Sequence, residues 1–171
     1  MLISERQAAE RLRPAGVTYR QARALLDAGL AGATQRTGSA TLVDEDAVAA
    51  LASWPVLTDE DVELACPWGM FVARADRPTW DFSPVSSVWI RSRIDMHGHL
   101  PFVATVCGFV TRGAEITDVL RVRGSGYHLE LRDPGAWFDH VREHRLLTGR
   151  GRPWALLGWQ GFSPRLGTVG N

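Results

Sequence analysis

His140, Glu143 and His144 spell H-x-x-E-H, and on a helix that spacing sets two imidazoles one turn apart with a carboxylate beside them, as an inverted zincin site requires. No acidic residue follows Glu143 in the chain, so the further carboxylate ligand of such a site is missing. Arg142 and Arg145 on the same stretch suit a solvated helix surface. His97 and His99 flank Gly98 and add to a metal site only if the fold brings them to the other histidines or to Cys107. The plainer reading is a polar turn, and neither a metal nor a cofactor is expected. Cys107 lies between Val106 and Gly108 in an apolar run, where burial blunts a thiol. No nucleophile, base and orienting group can be placed together, so the chain is not expected to be an enzyme.

The other chemistry available is that of arginine. Nineteen basic and nineteen acidic residues balance to a net charge of zero, and no lysine occurs. Every fixed cation is therefore a planar guanidinium, suited to bidentate contact with phosphate or guanine. The overall charge itself gives no support for binding nucleic acid. The first 56 residues carry six arginines and six acids, so position has to matter more than total.

Composition bounds the rest. At 171 residues, with 45% hydrophobic and 22% charged residues, the chain is expected to fold into one ordinary domain plus a small one. No apolar run approaches the roughly 20 residues of a membrane span, and the amino-terminus lacks a signal-peptide pattern. Two cysteines, Cys66 and Cys107, fit buried thiols in a reducing compartment. The expected location is cytoplasmic.

Elements that would position the arginines are written in the first third. Ser4 with Gln7, and Thr18 with Gln21, are capping-box pairs ahead of apolar residues at helical spacing, which predicts helices over about 5–13 and 18–28. Pro14 and Gly16 break the first helix, and Gly29 stops the second. Apolar segments at 30–33 and 40–43 flank a polar stretch containing Gly38, predicting a β-hairpin. Asp44 caps a third helix to about residue 53, with Val48, Leu51 and Ala52 closing over the first two.

The segments ISERQAAERL, VTYRQARALLDAGL and TLVDEDAVAAL resemble the winged helix-turn-helix of the MerR and excisionase families. The turn RPAGVT is longer than usual for those families, and QRTGSAT lacks their strongly basic wing tip. The resemblance implies that the second helix enters the major groove with Tyr19, Arg20 and Arg23 facing base edges, and Thr18 and Gln21 beside them. It also implies that the wing brings Thr34, Arg36 and Thr37 to the backbone or minor groove. Double-stranded DNA is the partner so implied.

Beyond a boundary near residue 56, Leu57 to Asp61 read as a short connection running into a capped turn of helix, and downstream the texture changes to β-branched and aromatic runs broken by glycine and proline. Strands are expected at 69–74, 85–94, 101–110, 114–122, 127–131 and 154–159. One helix is expected after Asp133 and Pro134, with Trp137, Phe138, Val141 and Leu146 buried and Gly149 past its end. This pattern is compatible with a small barrel of the PUA or ASCH sort. Trp68, Trp80, Trp89, Trp137, Trp154 and Trp159 all fall here, most of them expected in the core. Arg121 and Arg123, and the basic loop 149–153, read as ordinary mixed surface.

The expected class is thus α+β, with a winged helix-turn-helix over 1–56 and a mostly β domain with one late helix over 57–171. The leading functional expectation is a sequence-specific DNA-binding protein of the transcriptional-regulator type. The second domain would bind a small-molecule effector, form a homodimer, or both. Alternatives are an excisionase-like recombination accessory factor, or an enzymatic or ligand-binding second domain targeted by the first.

Overall fold

The computed structural model describes residues 1–74, 79–124, 126–147 and 153–157. Three helices, each started by a side chain that caps it, build the amino-terminal part: α1 (Glu5–Leu12), α2 (Tyr19–Asp27) and α3 (Glu45–Ala52). Ser4 and Thr18 form full capping boxes with Gln7 and Gln21, and Asp44 accepts from the amides of Asp46 and Ala47. These bonds satisfy amides that have no partner within the helix. Between α1 and α2 a 3-10 turn, Arg13–Ala15, ends at Gly16 with φ 75°, a left-handed position where glycine has no Cβ clash.

A three-stranded sheet, in the order β1-β3-β2, flanks these helices: β1 (Leu2–Ser4), β2 (Gln35–Thr37) and β3 (Ala40–Asp44). The hairpin exists, but its first strand is the polar Gln35–Thr37 and not the apolar 30–33. There Ala31 is buried against the helices instead. Sequence alone also gave no sign of β1, which pairs Ile3 with Val43. Ala8, Leu12, Leu25, Val43, Val48 and Leu51 share one core, and Phe109 from far along the chain completes it.

The remaining strands form a second sheet, in the order β7-β6-β5-β4-β8. They are β4 (Met70–Ala73), β5 (Leu100–Val106), β6 (Phe109–Val122), β7 (Gly126–Arg132) and β8 (Trp154–Leu157). Among the described residues this sheet is open, with β7 and β8 at its edges. The end of the expected last strand, including Trp159, lies outside the described residues. One expected run, 101–110, divides at a turn through Cys107 and Gly108, and β6 then continues unbroken past residue 114.

Two corrections concern helices. Residues 85–94 were expected as a strand, but they lie inside α5 (Pro84–His97), started by Ser83 accepting from the amide of Ser86 and ended at Gly98 with φ 79°. Because β4 and β5 run parallel, the chain needs a crossover between them, and α5 supplies it. Ser87 and Ile90, one turn apart, face inward. This helical period lay behind a β-branched composition. Ahead of the sheet, the capped helical turn expected after Leu57 extends into a full helix, α4 (Asp59–Ala65), started by the Thr58–Asp61 capping box, so the second part is not a mostly β unit with one late helix.

The late helix itself shrinks to a 3-10 helix, Ala136–His140, with Gly135 at its start and no side-chain cap. Tertiary hydrogen bonds outcompete the helical ones. Gly135 and Trp137 donate to Glu115, while Val110 N donates to His144 O and Leu146 N to Gly108 O. Glu143 then sits at φ 59°, which no α-helix permits. The expected stop, Gly149, lies outside the described residues.

β4 is buried on both faces, with Met70 and Val72 in one cluster and Phe71 and Ala73 in the other. Val62 of α4 and Cys66 just past its end cover the first, and Ile90 of α5 covers the second. The class is α+β with two sheets. Among the described residues, no helix is long and apolar enough to cross a membrane.

Candidate functional site

The residues expected to meet a ligand at the start of α2 divide by what already holds them. Thr18 N and Oγ1 both lie 2.9 Å from Gln21 Oε1, and Gln21 N donates to Thr18 Oγ1 at 3.3 Å. These two side chains build the helix start, and their polar atoms are largely committed to it. Tyr19 is 55% exposed, and its hydroxyl donates to Glu5 Oε1 at 2.8 Å. That hydrogen bond to a carboxylate holds the phenol above its ordinary pKa. The bond ties the first turn of α2 to the first turn of α1.

Arg20 and Arg23 are exposed on α2. Arg23 lies 3.9 Å from Asp27 one turn on, a solvated pair that exchanges readily for a stronger anion. Arg20 has no ion pair or hydrogen bond among the described residues. The same holds of Arg36 in β2, which stands opposite Thr41, while Thr37 stands opposite Ala40. Thr34, Arg36 and Thr37 are all exposed.

Sequence reasoning missed a cleft of about 440 Å³ between α1 and the start of α2, lined by Arg6, Arg13, Thr18 and Tyr19 among others. Arg6 lies 3.7 Å from Glu10, and Arg13 has no ion pair among the described residues. The helical spacing of Arg6 and Arg13 was legible; that the turn folds back beside α2 was not.

The other chemical motifs disperse. His140 ends the 3-10 helix and His144 follows the left-handed Glu143, so the helical zincin spacing does not form. His144 Nδ1 lies 2.7 Å from Arg142 O. His97 stacks on Trp68 with centroids 5.0 Å apart, and His99 meets the same indole edge-on at 5.6 Å. Among the described residues no three histidine, cysteine or acidic side chains are grouped to hold a metal ion. Cys107 is exposed in the β5–β6 turn with φ 52°, a correction of its expected burial. The basic loop 149–153 lies outside the described residues except for Pro153.

His99 leads to a buried acid that sequence reasoning passed over. Glu115, 5% exposed on β6, accepts from Arg132, Gly135 and Trp137, with His99 Nε2 at 3.3 Å. Burial opposes its ionisation, but the bonds from Arg132 and Trp137, the His99 charge and the Gly135 amide outweigh it and hold the carboxyl below the ordinary glutamate range. Both oxygens are committed, so the cluster pins β6, β7 and the following segment together.

No protein-family model matches the chain, and no curated protein or solved structure gives a significant match.

Proposed function

We propose that the protein binds duplex DNA sequence-specifically as a transcriptional regulator, with its first 56 residues acting as a winged helix-turn-helix. In this reading α2 is the recognition helix and the β2–β3 hairpin the wing. The observation that carries it is the amino-terminal half of α2, which presents Arg20 with no partner among the described residues, and Arg23 in only a solvated pair, from a helix fixed by its capping box. Arg36 in the hairpin is equally available.

The roles separate accordingly. Arg20 and Arg23 read base edges in the major groove. Arg36, with Thr34 and Thr37, contacts the backbone and sets position. Thr18 and Gln21 hold the helix start, and Tyr19 adds an exposed ring anchored to Glu5. The remainder of the chain takes an effector or a second copy. α5, the longest described helix, packs on β5 and β6, so pairing of two copies would use the sheet-bearing part. Binding to random and genomic duplexes at two salt concentrations, for wild type and the Arg20→Ala plus Arg23→Ala variant, tests the reading.

A further inference from the structure

The connector 55–57 is held by two backbone hydrogen bonds, Arg145 N to Pro55 O at 2.8 Å and Leu57 N to Arg145 O at 2.9 Å. Beside it opens a pocket of about 550 Å³, bounded by the connector, by α4 and by the segment that follows the 3-10 helix. That volume is in the range of small-molecule sites. Its walls are tied together before anything enters, so a ligand loses less entropy in ordering them.

Two surfaces meet in it. Val56, Leu57 and Leu64 form an apolar wall, and Leu64 is 78% exposed. Asp61, His140 and His144 supply the polar groups. Asp61 Oδ2 is occupied by the amide and hydroxyl of Thr58 at 2.8 and 2.7 Å, which leaves Oδ1 as an acceptor. A carbonyl only accepts, so His144 Nδ1 must donate to Arg142 O, and in the neutral ring Nε2 is then an acceptor as well. Asp59 and Glu60 add negative charge on the same turn of α4. Of the neighbouring guanidinium groups, Arg142 lies 3.5 Å from Asp139 in a solvated pair, and Arg145 covers the Phe109 ring at 5.2 Å. The polar end is rich in acceptors and negative, and it faces an apolar wall.

We infer that this pocket binds a small organic cation, a primary amine carried on a compact apolar body. The ammonium meets Asp61 Oδ1 and His144 Nε2, and the apolar body lies on Val56, Leu57 and Leu64. The inference does not depend on the DNA-binding reading, because ligand binding is measured without DNA.

The experiment is calorimetric or NMR titration at pH 8, with 1-naphthylmethylamine and its anionic counterpart 1-naphthoate as probes. Wild type is compared with Asp61→Asn, which keeps an oxygen to accept from Thr58, and with Leu64→Ser at an exposed position. Saturable binding of the amine, weakened about two- to fivefold in Asp61→Asn and measurably in Leu64→Ser, with no comparable binding of the naphthoate, is the expected result. The proposal is overturned if the amine fails to saturate at millimolar concentration or binds all three proteins alike. Equal or tighter binding of the naphthoate overturns it too. Should Asp61→Asn lose its native circular dichroism, Leu64→Ser and the two-probe comparison in wild type decide.

Discussion

Arg132 grips one oxygen of the buried Glu115 through Nε and an Nη, both at 2.7 Å. Oε1 faces Gly135 N and Trp137 Nε1 at 3.0 Å each and His99 Nε2 at 3.3 Å. Removing the acid leaves donors without a partner around a buried position, so Glu115→Ala is expected to cost about 3 kcal/mol in denaturant unfolding. The folded carboxyl titrates below its unfolded value of about 4.3. Its contribution is therefore present above that pH and lost as pH falls through the folded value. Wild type should lose its Tm advantage over Glu115→Gln between pH 5 and the acid limit. A difference that stays constant down to about pH 3 would contradict the charged network.

Phe109 opens β6, yet it packs in the amino-terminal core with its ring 5.9 Å from that of Trp54. Phe109→Ala removes this ring from a site 1% exposed, and a loss of about 3–5 kcal/mol is expected. Urea unfolding followed by tryptophan fluorescence and by far-ultraviolet circular dichroism checks it. A loss below about 1 kcal/mol would mean the ring is not part of that core.

Gly126 stands at φ 86°, and a Cβ there would strike the Trp80 carbonyl. Trp80 and Tyr127 exchange two backbone bonds of 2.8 Å at this point, covering part of the β7 edge. Gly126→Ala is expected to destabilise by about 1–3 kcal/mol and to speed hydrogen exchange at the Tyr127 amide. Unchanged exchange would show that the bridge tolerates the methyl group.

The two thiols should separate under a disulfide reagent. Burial pushes Cys66 up to about 12, whereas Cys107, also raised by burial, lies exposed in its turn. Native protein at pH 8 is expected to release one equivalent, abolished by Cys107→Ser, with the second appearing only in denaturant. Two rapid equivalents from native protein would refute the burial of Cys66.

What was legible in the sequence was local. Ser4, Thr18 and Asp44 announced their helices because a cap and a helical period depend on neighbours only. The hairpin was legible in kind through Gly38 but displaced in register, because Ala31 is drawn into the helical core. Residues 133–146 have the signs of a helix, and the helix fails because Glu115, twenty residues earlier, takes the Gly135 and Trp137 donors. The crossover α5 hid behind valines and isoleucines, and only the parallel pairing of β4 with β5 makes it necessary. At the candidate site the arginines were legible. That Thr18 and Gln21 bind each other, and that Arg6 and Arg13 line a cleft beside them, required the fold.

The central claim rests on α2, and duplex binding tests it directly. Purified protein is incubated with random and genomic duplexes at about 50 and 200 mM salt, alongside Arg36→Ala and the double variant Arg20→Ala plus Arg23→Ala. Selective binding that weakens with salt is expected. The double variant should lose the selectivity, and Arg36→Ala should lower the salt slope by about one while leaving the preferred sequence unchanged. If wild type retains no duplex even at the lower salt, or if the double variant selects the same sequences with the same affinity, α2 is not a recognition helix.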